Sequence, residues 1–397
     1  MGVNLLEGLS LAFPWSVWEC WWLAPLALVL DLWLGDPALP WRHPVCLVGK
    51  LLEALERPAR RFMLAQGTGR ERGRGRLAGA AALFILIACA GVVVWCAVSL
   101  PVLGLVAAVY LAWAGLAMGS LLQTGHLVLE RVEQTPVAGA RQALAWLVSR
   151  DTSVMDRPLM RKTLADTLSE NLTDAFTAPF FWLLVGGPVA LWCYKAVSTT
   201  DSMWGYMTDK WRWLGWAGAR ADDVLAFVPA RLAALSAGLV HALYGARQRL
   251  EAKCQAAGHG DASAPTAEPT AEPTTTPTTA SPTSFGAAYL PGRWSGRWPG
   301  VAVVARQAAG MPSPNSGWPM TACAWLCGAR MAGPSVYFGE LVDKPWLGPP
   351  PQAAAPAACL AAWDAPRLLT LCALLRQSAL YGGLALWLLT LACHFIF

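Results

Sequence analysis

A chain of 397 residues that is 55% hydrophobic, only 14% charged and carries 22 tryptophans is too poor in charge for an ordinary soluble domain, where about a quarter is charged. The formal net charge of +5 comes largely from one arginine-rich stretch, which argues against a nucleic-acid-binding surface. Eleven cysteines without a C-x-x-C spacing argue against a zinc site and read as small apolar residues inside apolar runs.

In chain order, residues 15–34 form the first run long enough to span a bilayer, with Asp31 near its end. Runs 77–99 and 102–122, separated by Pro101, predict a helical hairpin. The intervening loop 57–76 sets Arg57, Arg60, Arg61, Arg70, Arg72, Arg74 and Arg76 against the single acid Glu71. The positive-inside rule places that loop in the cytoplasm and the amino terminus outside. Between 123 and 170, Leu127, Leu129, Val132, Leu144 and Leu147 predict amphipathic helices rather than spans.

Residues 149–232 are polar and acid-rich, and they set Asp151, Glu170, Asp174, Asp201, Asp222 and Asp223 beside apolar runs. An ionised group in dry surroundings loses several kcal/mol of hydration unless it has a partner or ligand, so function is expected here. Glu170 and Asp174, with Asp166 one turn earlier, share one helical face. The apolar run 175–196 is broken by Pro179 and by Gly186-Gly187-Pro188, so it crosses once or dips in and returns. The re-entrant reading is preferred, because a single crossing would separate Asp201 from Asp151 and Glu170. A further helix is expected over 224–244, with Asp222 and Asp223 just before its positive amino end.

Residues 256–284 are a Thr/Pro-rich run that cannot bury enough apolar surface to offset ordering entropy, and they read as a disordered linker. The run 380–397 is a final span. The expected fold is therefore an all-α polytopic integral membrane protein with re-entrant and amphipathic helices. A membrane-embedded core at 1–255 contains the acidic block, 256–284 is the linker, and 285–397 is a carboxy-terminal segment with the last span.

Nine motifs occur in order: D-x-x-L-G-D-P at 31–37; H-P-V at 43–45 with Gly49; R-D-T at 150–152; E-N-x-x-D at 170–174 followed by A-P-F-F; Y-K-A-V at 194–197; T-x-D-S-M-x-G-Y at 199–206; D-D-V-x-x-x-x-P-A-R-L at 222–232; S-P-N-S-G-W-P at 313–319; and G-P at 333–334. Together they resemble the adenosylcobinamide-phosphate synthase family of cobalamin biosynthesis, over nearly the whole chain outside the linker. Two positions depart from that pattern: Ser198 stands where the family usually has Asn, and Met320 where it commonly has Glu.

The resemblance implies an ATP-dependent ligase of the inner membrane. It would join aminopropanol phosphate, or a close amino-alcohol, in amide linkage to a propionate of adenosylcobyric acid, with the active site facing the cytoplasm. Such a site must hold polyphosphate and metal. Scattered carboxylates without a His/Cys cluster suit Mg²⁺ better than zinc. No G-x-x-x-x-G-K-[ST] loop is present, which leaves phosphates to Arg150, Lys195, Arg220 and Arg231. On this reading Glu170, Asp201 and Asp151 are catalytic, and Asp174, Asp222 and Asp223 bind metal. Asp36, His43, Arg150, Asn171, Lys195, Thr199, Ser202, Arg231 and Asn315 bind substrate. ATP, Mg²⁺, a corrinoid, an amino-alcohol phosphate and membrane lipid are the expected partners, together with a homo-oligomer or a complex with other corrinoid-pathway enzymes, and no nucleic acid. The alternative is a transporter or corrinoid-binding membrane protein. Transport predicts inverted repeats, whereas each acidic motif occurs once.

Overall fold

The computed structural model describes residues 20–37, 43–65, 70–258, 296–337, 340–350 and 363–396. It opens with α1 (Leu23–Leu34), α2 (Pro44–Leu64), α3 (Glu71–Val98), α4 (Leu103–Gly115), α5 (Met118–Gln134), α6 (Val137–Ala145) and α7 (Arg157–Leu172). A π-helical turn, Thr173–Thr177, leads into α8 (Ala178–Trp204), followed by α9 (Trp216–Leu225), α10 (Phe227–Gly258), α11 (Val301–Ala308) and α12 (Gly317–Cys327). Four short strands, β1 (Met331–Ala332), β2 (Ser335–Tyr337), β3 (Glu340–Val342) and β4 (Trp346–Leu347), precede α13 (Ala365–Ile396). The helix starts follow local chemistry. Pro44 enters α2 behind His43, whose Nδ1 accepts from the Val45 N–H at 3.3 Å, and Asp156 accepts from the Leu159 N–H at 2.9 Å to cap α7.

Among the described residues, five stretches are long and apolar enough to cross a membrane: Glu71–Val98, Leu103–Gln134, Arg157–Trp204, Phe227–Glu251 and Ala365–Cys393. The chain is thus an all-α, multi-pass membrane protein, and among the described residues the strands form two short antiparallel pairs, β1 with β4 and β2 with β3. Residues 15–19 of the expected first span and residues 259–284 of the expected linker lie outside the described residues. Helix α10 runs through Gly258, past the boundary expected for the linker.

Three expectations are corrected. The arginine-rich stretch is not one loop, since α2 continues to Leu64 and α3 begins at Glu71, so Arg72, Arg74 and Arg76 are helical. The run 102–122 is not one helix. It breaks at Leu116-Ala117, where the Ala117 N–H donates to the carbonyl of Ala175 at 2.8 Å. The buried Asp31 carboxylate then accepts from the Met118 and Gly119 N–H groups at 3.1 and 3.3 Å, capping α5 from another helix. Gly119 is required for this approach, because a Cβ there would collide with the Asp31 carbonyl. Finally, Asp222 and Asp223 do not precede a helix but sit in the last turn of α9. The chain breaks at Ala226 and restarts as α10, with Pro229 in its first turn, where a missing N–H does no harm.

The stretch 157–204 folds back on itself. Tyr194 donates to Asp174 at 3.3 Å, although twenty residues of straight helix would separate them by about 30 Å. The reversal is made at Gly186 (φ −146°, ψ 26°) and Gly187 (φ 63°, ψ −160°), just ahead of Pro188. Gly187 occupies a region of backbone space that is essentially reserved for glycine. The chain therefore turns back within this stretch, which is the reversal that the re-entrant reading expects. Its return arm packs on α3 and α4, with the Trp192 indole donating to the Leu111 carbonyl at 2.9 Å.

Candidate active site

The two arms of this hairpin and α9 deliver the carboxylates. Glu170 lies in the last turn of α7, and Asp174 lies in the π turn, a device frequent at functional sites. Asp201 comes from the return arm, and Asp222 and Asp223 come from α9. Asp201 stands within electrostatic reach of Glu170 and Asp223, and Asp174 within reach of Asp201 and Lys195. The Tyr194 hydroxyl that donates to Asp174 also meets the side chain of Ser198, the residue that departs from the family pattern.

Burial, followed by the charges of Asp174, Asp201 and Asp223, pushes Asp222 up to about 9. Burial also raises Asp223, opposed by Arg220, whose Nη1 lies 3.2 Å from it. The Asp222 Oδ1 atom is buried with no hydrogen-bond partner among the described residues.

Cations frame this band on both flanks. Lys195 faces Asp174, Asp36 and Asp31, and His43 stands within reach of Asp36 and Lys195. The His43 ring meets the Ala114 backbone, and burial holds this imidazole below its ordinary pKa. Asp36 is exposed. On the other flank, Arg150 donates to Asp166 at 2.8 Å and to the Tyr337 hydroxyl at 2.9 Å. Asp166, fully buried, also accepts from Lys162 at 3.0 Å and from the Ala332 N–H at 2.9 Å, so all of its charge is compensated. Lys344 donates to Tyr337 at 2.8 Å and stands within electrostatic reach of Glu170.

The carboxy-terminal S-P-N-S-G-W-P loop docks onto this block. Asn315, buried, donates from Nδ2 to the Asp223 carbonyl at 2.9 Å and accepts from Arg231 Nη1 at 2.9 Å. Arg231 is held against the rings of Phe227 and Trp318, 3.5 and 4.7 Å from their centroids. Met320, one turn on, is buried in apolar surroundings.

The structure therefore joins Glu170, Asp174, Lys195, Asp201, Asp222, Asp223, Arg231 and Asn315, with Asp36 and His43 on the Lys195 side. Asp151 stands apart, with its exposed carboxylate accepting from the Ser153 N–H at 2.9 Å. Ser202 is exposed, while Asn171 and Thr199 are half-buried beside Glu170 and Asp201. Sequence reasoning did not assign Tyr194, Asp166, Lys162, Tyr337 or Lys344 to the site. The shared helical face with Glu170 signalled Asp166, and the Y-K-A-V motif signalled Tyr194. Tyr337 and Lys344 have no such signal, because the β segment reaches the site only through the tertiary fold.

Among the described residues, no three His, Cys, Asp or Glu side chains are grouped to enclose a metal ion. That donor set suits a hard cation held by one or two carboxylates and completed by water and phosphate oxygens, as Mg²⁺ prefers. The unpartnered Asp222 oxygen is a ready ligand atom.

A family profile described as "CobD/Cbib protein" matches residues 24–364. The chain is 35% identical over 331 residues to "Cobalamin biosynthesis protein CobD" of Pelobacter propionicus, covering 82% of this chain and 84% of that protein. It is 31% identical to the protein of the same name from Photorhabdus laumondii, over 82% and 86% of the two chains. "Cobalamin biosynthesis protein CbiB" of Salmonella typhimurium is 29% identical over 81% and 85%. No solved structure matches.

Proposed function

The chain belongs to the CobD/Cbib family, and from that premise we propose that it serves cobalamin biosynthesis as an ATP-dependent amide ligase, joining an amino-alcohol phosphate to a propionate of adenosylcobyric acid. The observation that carries this reading is the convergence of separate acidic motifs and the Asn315 loop on one half-buried carboxylate band flanked by lysines and arginines. A carboxylate does not react with an amine until it is activated, and ATP with Mg²⁺ supplies that activation when bound.

The residues divide the remaining work. Of Asp174, Asp222 and Asp223, one or two would hold the cation, with water and phosphate oxygens completing its shell. Lys195 and Lys344, on opposite flanks, and Arg220 meet phosphate oxygens. Glu170 or Asp201, on facing arms of the hairpin, takes the proton that the amine nitrogen loses as the C–N bond forms and the bond from the activated acyl carbon to its phosphate leaving group breaks. Arg150 is already committed to Asp166 and Tyr337, so it positions the β segment. Arg231 likewise positions Asn315.

We place the site at the cytoplasmic face of the inner membrane. In support, Trp204, one turn beyond Asp201, stacks on Trp211 at 5.4 Å, and Arg60 lies 4.6 Å from that same ring. The arginine-rich helix ends and the carboxylates thus share one end of the bundle, the end the positive-inside rule assigns to the cytoplasm. The test is amide formation by the purified full chain in detergent, given adenosylcobyric acid, aminopropanol phosphate and Mg²⁺-ATP. A coupled product with stoichiometric nucleotide cleavage is expected. No product under these conditions, with the protein folded, rules out the ligase.

A further inference from the structure

Beside the carboxylate end lies a basic and aromatic face that the proposed chemistry does not use. It is assembled from the end of α2, the start of α3 and the segment between α8 and α9. Arg60 and Lys210 lie 4.6 and 4.2 Å from the Trp211 ring. Arg72, Arg76 and Arg212 surround Trp213 at 5.5, 5.7 and 4.5 Å. Arg76 also covers Trp216 at 4.4 Å, and Arg74 covers Phe62 at 4.6 Å.

These cations are under-compensated. Glu56 is shared by Arg60 at 2.8 Å and Lys210 at 3.2 Å, and the fully exposed Asp209 lies 3.5 Å from Arg212. Three guanidinium atoms from two helices, Arg60 Nη2, Arg74 Nη1 and Arg76 Nε, are screened from water with no hydrogen-bond partner among the described residues. Buried charged donors without acceptors are costly, and several converging arginines match a ligand that offers several anionic oxygens.

We infer that this face binds the headgroup phosphate of an anionic glycerophospholipid. The surroundings distinguish a lipid from a free anion. Immediately beyond Arg76, α3 presents exposed Leu77, Phe84 and Ile85 along a span-length apolar helix, a track for acyl chains. Tryptophans beside basic residues at the head of such a helix are the composition of a membrane interface.

The test is native mass spectrometry of the full chain in detergent with equal amounts of phosphatidylglycerol and phosphatidylcholine of matched acyl chains. Phosphatidylglycerol adducts should dominate by about tenfold, a preference of the size expected for a few interfacial arginines. Arg74→Gln with Arg76→Gln should bring the two lipids to parity, while Arg74→Lys with Arg76→Lys should retain part of the preference. Should the glutamine variant fail to fold, Lys210→Gln with Arg212→Gln on the exposed rim should still reduce the preference several-fold. Parity in the parent, an unchanged preference in both glutamine pairs, or full displacement by equimolar glycerol 3-phosphate would each overturn the assignment.

Discussion

At the scale of single residues, the decisive feature is how many carboxylates share one desolvated volume. Glu170 and Asp201 stand within electrostatic reach of each other across the hairpin, so Glu170→Gln and Asp201→Asn keep shape and polarity while removing charge where the proposed reaction needs it. Turnover should fall about a hundredfold or more for each, with the melting temperature close to that of the parent, as when a positioned electrostatic group is lost. Activity within a few-fold of the parent in both variants would move the site elsewhere. Asp222 offers a pH test in metal-free protein. Its folded-state pKa of about 9 lies above the ordinary carboxylate value of about 4, so the unfolded chain gives up this proton first as pH rises. The stability tied to this proton is complete below the unfolded pKa and is lost as pH rises through about 9. Melting curves of Asp222→Asn should therefore gain on the parent between pH 6 and pH 9, and added Mg²⁺ should narrow the gap by stabilising the ionised parent. A gap independent of pH would show that Asp222 titrates normally.

At the scale of elements, the hairpin 157–204 is what turns scattered acids into a site. Its turn depends on Gly187, whose φ of 63° with ψ of −160° has no comfortable counterpart in a residue with a Cβ. Gly187→Ala should cost about 1–3 kcal/mol of stability. Because the turn lies well away from Asp174 and Asp201 along both arms, a loss of turnover in this variant reports changed alignment of the arms. Thermal melting and turnover measured in parallel check it, and an unchanged melting temperature would show that the turn tolerates a side chain. The β segment acts at the same scale. It carries Tyr337 and Lys344 to the Arg150–Asp166 pair, and the buried Asp166 fixes it by accepting from the Ala332 N–H.

At the scale of the whole molecule, the parts before and after the linker form one body, with Trp298 packed against Gly238 of α10 and Asn315 bonded to the Asp223 carbonyl. Since loop-closure free energy changes by only about 0.6 kcal/mol per doubling of length, deleting residues 262–283 should leave the amide-forming rate within a few-fold of the parent. Loss of that rate with membrane insertion retained would assign the linker a role in the chemistry. By itself, the sequence determined the class of solvent, the apolar runs, the breaker at Gly186-Gly187 and the acidic motifs, because hydropathy, glycine freedom and charge are local properties of the chain. The direction of the break was legible only through the argument that Asp201 must rejoin Glu170, and the structure meets it with the Tyr194–Asp174 bond. Only the tertiary structure decided that Asp31 caps α5, that Asp166 is a compensated hub rather than a solvated acid, and that Asp151 stands apart while Lys344 joins. Those outcomes depend on which donor a carboxylate meets from a segment up to 166 residues away, and one-dimensional spacing carries no term for that distance.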